Sequence, residues 1–154
     1  MRGTNYILGP GPDTPVILGC ILEMIVALAG IGTAITLYPV LKRQNEGFAL
    51  GFVGLRILEA ATIYVGIVSL LSVVTLRQTG AGALATGQTL TAQYYWTFLF
   101  GQSFIPAVNA VLLGSLLYQS RLVPRALPVL GFFGAALLVT HVEQLHEGGL
   151  NPTF

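Results

Sequence analysis

Three charged residues lie inside long apolar stretches of this sequence, where a charge is energetically costly. Glu23 lies within Val16–Leu41, and Arg56 and Glu59 lie within Ala49–Leu76. Charged side chains that are kept in hydrocarbon usually pair, line a water-filled cavity or take part in function. These residues are therefore candidates for an ion pair or for a site that binds a polar ligand.

Helical rise predicts that the polar residues of the apolar stretches meet at one depth. The two helices enter the membrane from opposite faces. At a rise of about 1.5 Å per residue, Glu23 and Glu59 both come near the middle of a hydrocarbon core of about 30 Å. Arg56 lies three residues before Glu59, so the two share a helix face. The predicted intramembrane polar cluster is Glu23, Arg56, Glu59, Gln102 and Asn109.

The charges of this cluster do not balance, because it holds one arginine and two glutamates. Two close carboxylates rarely both ionise in a low dielectric. We expect Arg56 to pair with one glutamate while the other is protonated or binds a cation. The alternative is a purely structural ion pair that fixes helix register, with Gln102 and Asn109 making interhelical hydrogen bonds worth about 0.6 kcal/mol each.

The composition is that of a membrane protein. Hydrophobic residues make up 54% and charged residues 8% of the 154 residues, and the mean hydropathy is +0.77. Soluble domains carry about 25% charged residues. The net charge of +1 argues against a nucleic-acid partner. The single cysteine, Cys20, excludes an intrachain disulfide and is interpreted as a small apolar residue.

The apolar segments that must position the cluster predict an all-α fold, a polytopic membrane helix bundle in one domain, 1–154. They are too long for strands, which usually have about 5–6 residues. The predicted helices span about 15–41, 48–76, 92–118 and 126–142, with a polar tail at 143–154.

Three local features refine these elements. Asp13 or Thr14 is expected to cap the first helix. The stretch 78–92 is small and polar and predicts a flexible loop. Pro106 is expected to kink the third helix, because proline cannot donate the helical hydrogen bond.

Basic residues indicate an orientation. The loop 42–47 carries Lys42 and Arg43, and the loop 119–125 carries Arg121 and Arg125. Four basic residues on these loops, against two on the opposite side, predict that both loops are cytoplasmic.

Small residues at four-residue spacing occur once in each segment and could allow close helix contacts. In a chain with 19 glycines, chance explains such pairs about equally well. The pairs are Gly30/Ala34, Thr62/Gly66, Ala110/Gly114 and Gly131/Ala135.

Catalytic and metal motifs are weak. His141 and His146 are five residues apart rather than the four of a zinc-protease helix, and Glu143 and Glu147 accompany them in a tail best interpreted as solvated. We expect no metal and no cofactor. An enzyme is the least favoured class, because no nucleophile–base pair is evident.

Two loop motifs resemble the bacterial domain-of-unknown-function 4386 family. The first comprises Tyr38–Gly47 with Ala49–Gly51 and Arg56–Ala60, and the second comprises Leu116–Tyr118 with Ser120–Arg125. The resemblance implies a small multi-span protein of the bacterial inner membrane and supplies no catalytic residues. It covers about residues 4–139. Family members look longer at both ends, so we expect a shortened member.

The leading hypothesis is a membrane protein that binds or moves a small solute or cation at the charged cluster. The alternative is a structural or interaction subunit of a membrane complex. The expected partners are the lipid bilayer and either further copies of the chain or an unidentified membrane protein.

Overall fold

The protein is a bundle of long helices. The computed structural model describes residues 12–79 and 84–120, and beyond them only 124, 127, 129–134, 136, 137 and 140. No strand occurs among these residues, which confirms the predicted all-α class. The helices are α1 (Thr14–Leu41), α2 (Glu46–Thr79), α3 (Leu84–Leu99) and α4 (Ile105–Ser120), and the π-helical segment Phe100–Phe104 joins α3 to α4.

The fourth predicted helix, 126–142, is described only in part. All of its described residues are helical. The polar tail and its histidine–glutamate motif lie outside the described residues.

A tight turn makes α1 and α2 an antiparallel pair. The Lys42 N–H donates to the Tyr38 carbonyl at 2.9 Å, which closes the last turn of α1. The Asn45 side-chain oxygen accepts from the Phe48 N–H at 3.1 Å. This is an N-cap, which satisfies a backbone donor that the first turn of α2 would otherwise leave unpaired.

The central helix of the described bundle is α2, which contacts α1, α3, α4 and the π-helical segment. Much of the surface of α1 is apolar and exposed, as in Leu18, Leu22 and Ile25. Within the described residues, three helices are long and apolar enough to cross a membrane: Thr14–Leu41, Glu46–Gln78 and Ala85–Gln119. Apolar side chains that face outward along such helices are typical of a lipid-facing surface.

A π-helical turn ends just before Pro106, the residue at which a kink is predicted. Because Pro106 has no N–H, the regular hydrogen bond to the carbonyl four residues earlier is missing. The Ile105 N–H instead reaches the Phe100 carbonyl, five residues back. An extra residue is thereby accommodated without ending the helix.

The predicted loop 78–92 is wrong over most of its length, because α3 already begins at Leu84. The polar residues there do not need solvent. Thr89 donates to the Ala85 carbonyl at 2.9 Å, and Thr91 donates to the Gly87 carbonyl at 2.8 Å. Hydroxyl donors can be satisfied by backbone carbonyls of their own helix, so a polar composition does not by itself predict a loop.

Asp13 occupies the N-cap position of α1, but its side chain makes no capping hydrogen bond. Its carboxylate is bonded instead to Arg77 and, at 3.2 Å, to Gln78 Nε2 at the far end of α2. The expected local cap is therefore replaced by a contact between two helices.

Small residues allow α2 to approach the third apolar helix closely. A methyl group built on Gly101 would lie 2.5 Å from Thr62 Oγ1, and one on Gly66 would lie 2.9 Å from Thr97 Oγ1. Gly114 contacts Phe132 of the fourth segment in the same way, at 2.9 Å. A methyl group built on Gly131 would have no atom within 4 Å.

We expect Gly101→Ala to destabilise the protein by about 1–3 kcal/mol, since an added methyl would overpack the contact with Thr62. The Thr62 hydroxyl has little freedom to move, because it donates to the Glu59 carbonyl at 2.7 Å. Thermal unfolding in detergent measures the change. Gly32→Ala is the matched control, because a methyl there meets nothing within 4 Å. Equal melting temperatures for the two variants would contradict the close approach.

Candidate functional site

The candidate site is built on one face of α2, where Arg56 and Glu59 form an ion pair. Arg56 NH1 lies 3.0 Å from Glu59 Oε1 and 2.9 Å from Oε2. The pair is largely removed from solvent, with side-chain exposures of 26% for Arg56 and 11% for Glu59. The guanidinium carbon also lies 5.6 Å from the centre of the Phe52 ring, within the range of a cation–π contact.

Asn109 brings α4 into this pair. Its side-chain amide is buried, with 1% exposure, and Nδ2 donates to Glu59 Oε2 at 3.1 Å. Gly30 of α1 faces the other partner, since a methyl built on it would lie 3.8 Å from Arg56 NH1. Arg56, Glu59 and Asn109, here called the Arg56 network, therefore join α2 to α4 beside α1.

Two buried atoms of the Arg56 network have no hydrogen-bond partner in the described chain. They are Arg56 Nε, which is a donor, and Asn109 Oδ1, which is an acceptor. Buried polar atoms are nearly always hydrogen-bonded, so each such exception calls for an explanation. A small molecule that carries both an acceptor and a donor has the chemistry to satisfy these atoms.

Glu23 does not join the Arg56 network. Its Oε1 accepts a hydrogen bond from the Tyr94 hydroxyl of α3 at 2.5 Å. The contact between Asp13 and Arg77 sets the antiparallel register of α1 and α2. That register places Glu23 opposite Ile67, about eight residues or 12 Å from Glu59 along the helix axis.

The predicted equal depth of Glu23 and Glu59 is therefore wrong. The prediction measured depth from the first residue of each apolar run. In the structure, α2 is 34 residues long and extends beyond its run at both ends. The turn 42–45 and the contact between Asp13 and Arg77 together set the register of the two helices. In this register, Glu59 lies closer to the turn than Glu23 does.

Gln102 lies in the π-helical segment and is half-buried. Among the described hydrogen bonds, none joins it to Glu23, Arg56, Glu59 or Asn109. The structure thus brings together Arg56, Glu59 and Asn109 of the five predicted residues, and places Glu23 and Gln102 elsewhere.

Tyr94 is the site residue that sequence reasoning missed. The predicted helix 92–118 places Tyr94 at its very start, away from the predicted polar cluster. Since α3 begins at Leu84, Tyr94 is about three turns inside the helix. A buried tyrosine hydroxyl usually finds a partner, but no signal in the sequence identifies Glu23 as that partner.

A shallow open groove of about 300 Å³ lies between α2 and α3, away from the Arg56 network. Its lining is mainly apolar. The hydroxyls of Ser69 and Ser72 donate to carbonyls of their own helix at 2.8 Å, so these donors are already used. Among the described residues, no group of three or more His, Cys, Asp or Glu side chains could hold a metal ion.

The chain matches the model of a protein family described as a domain of unknown function, DUF4386, over residues 4–148. The chain belongs to the DUF4386 family. The match extends beyond residue 139, where the resemblance was expected to end, and it includes the first half of the polar tail, 143–148. No curated protein and no solved structure matches this DUF4386 chain significantly.

The Arg56 network predicts that removing one charge of the ion pair destabilises the DUF4386 chain more than removing both charges. Arg56→Met leaves the Glu59 charge buried beside Asn109, and we expect it to cost about 1–3 kcal/mol. This is less than for a fully buried pair, because Arg56 is partly exposed. The double variant Arg56→Met/Glu59→Met should recover most of the loss. Thermal unfolding of the single and double variants measures the coupling, and a strictly additive result would contradict the pairing.

Proposed function

We propose that this chain is a multi-pass membrane protein that binds or moves a small polar solute at the Arg56 network. The observation that carries the proposal is the pair of unpartnered buried atoms, Arg56 Nε and Asn109 Oδ1. An ion pair that only fixes helix packing gives no reason for a buried donor and a buried acceptor to remain without partners. A solute with a hydrogen-bond acceptor and a donor would use both.

The charge of the network favours a neutral solute over a cation at this position. The Glu59 carboxylate is already compensated by Arg56 and hydrogen-bonded by Asn109. A cation at Glu59 would have to displace Arg56 from both oxygens. An amide, urea-like or hydroxyl compound can instead add to the network without breaking the pair.

The alternative function is that of a structural or interaction subunit of a membrane complex. Its support is that the network links two helices and so can fix their register, which is a well-attested role of buried polar groups. This alternative predicts a co-purifying partner chain and no bound small molecule.

We further propose that the chain resides in the bacterial inner membrane, with the loops 42–47 and 119–125 in the cytoplasm. The support is the positive charge of these loops. Lys42 and Arg43 are exposed at the end of α1, as expected for residues that remain in water.

Native mass spectrometry of the full chain, purified from its own membrane in mild detergent, tests the solute. We expect a bound small-molecule mass on the native protein and its loss in Asn109→Leu, because leucine removes both the acceptor and the donor. Asn109→Gln, which keeps the amide, should retain part of the binding.

Ser115→Ala is the control on the same helix, because its hydroxyl bonds only to the Val111 carbonyl at 2.7 Å in the described chain. The control should keep the bound mass. If the native protein carries a partner chain and no small molecule, the interaction hypothesis replaces the solute proposal.

Cysteine labelling tests the orientation. In a Cys20→Ala background, Gln44→Cys should react with a membrane-impermeant maleimide in inverted vesicles but not in intact spheroplasts. Thr86→Cys, which is exposed near the start of α3, should show the opposite pattern. Labelling of Gln44→Cys from outside would reverse the proposed topology.

A further inference from the structure

Glu23 is a carboxyl group inside an apolar helix for which the described chain supplies no counter-charge. The nearer cations are engaged elsewhere, because Arg56 pairs with Glu59 and Arg77 pairs with Asp13. Lys42 and Arg43 follow the end of α1, about 19 residues or 28 Å from Glu23. The only described hydrogen bond to the carboxyl group is the one from the Tyr94 hydroxyl.

The surroundings of Glu23 are apolar. Cys20 and Ala27, one turn to either side of it on α1, pack in one cluster with Ile63 and Ile67 of α2. The titratable groups on the packed elements are Cys20 of α1, Tyr94 of α3, and Tyr64 of α2, which packs against this cluster. None of these groups is a cation, and an isolated carboxylate in such surroundings is unfavourable unless it is neutralised.

We infer that Glu23 is an exchangeable proton-binding group, with the proton on Oε2 while Tyr94 holds Oε1. The described neighbours offer too few oxygen atoms to surround a metal ion, whereas a proton needs only the carboxyl oxygen. Glu23 is half-buried rather than enclosed by the described helices, so a small reagent dissolved in the membrane can reach its carboxyl group. This inference does not rest on the solute proposal, because the Arg56 network lies about 12 Å away along the bundle.

A hydrophobic carbodiimide tests the inference on the full chain in membranes. The reagent adds the O–H of an uncharged carboxylic acid across a C=N bond, and an acyl shift then yields a stable N-acylurea. Mass spectrometry of the peptide that contains Glu23 should show the adduct. The yield should fall by about tenfold per pH unit once the carboxyl group ionises.

Glu59 is the internal control, because its charge is held by Arg56 and Asn109. It should remain unlabelled in the folded protein at neutral pH. Equal labelling of Glu23 and Glu59 would overturn the inference. An unlabelled Glu23 would also overturn it if the same peptide reacts after the protein is denatured at low pH.

Tyr94→Phe separates proton binding from a merely structural contact. The Tyr94 hydroxyl donates the described hydrogen bond to Glu23 Oε1, so its removal should change the pH profile of labelling. Tyr95→Phe, on the exposed face of α3, should leave the profile unchanged. A pH-independent yield overturns the inference, as does protection of Glu23 by added Na⁺ at fixed pH, which would assign a metal ion instead.

Discussion

The constraint on which this bundle depends is that polar groups inside apolar helices must find partners within the protein. Lipid offers no hydrogen bonds, so each unsatisfied group costs several kcal/mol. Arg56, Glu59 and Asn109 meet this requirement together except at Arg56 Nε and Asn109 Oδ1, and their hydrogen bonds link α2 to α4. Serine and threonine meet it locally, through carbonyls of their own helices. The contact between α2 and α4 fits this constraint, because α2 carries the Glu59 carboxylate to which Asn109 of α4 donates.

The same constraint separates the polar groups into two places with different chemistry. At the Arg56 network the charges cancel, and what remains is a donor and an acceptor without partners. At Glu23 the hydrogen bond from Tyr94 satisfies one oxygen but leaves the charge uncompensated within the described chain. Neutral solute binding suits the first arrangement, and proton binding suits the second. Close helix approach at Gly66 and Gly101 aligns α3 and the π-helical segment against α2 between these two places.

Prediction from the sequence succeeded where hydrophobic length decides the outcome and failed where register does. The bounds of α1 agree with the prediction, because a long apolar run in a membrane protein can form little other than a helix. The start of α3 was missed, since Thr89 and Thr91 look like loop residues until their hydroxyls are seen to bond within the helix. Arg56 and Glu59 could be placed on one helix face from their spacing of three, but the sequence left open which glutamate pairs with Arg56. For Asn109, the sequence predicted only a depth similar to theirs. The rise per residue gives an approximate depth but does not show which side chains are in contact.

The sequence by itself determined the helical class, the apolar character of the surface and the common helix face of Arg56 and Glu59, because each follows from local composition or from spacing within one helix. Only the tertiary structure decided which helix faces each polar group. The turn after Leu41 and the contact between Asp13 and Arg77 set the register of α1 against α2. The start of α3 at Leu84 then brought Tyr94, rather than Arg56, to Glu23. No local pattern in the sequence encodes these registers, because they depend on contacts between helices.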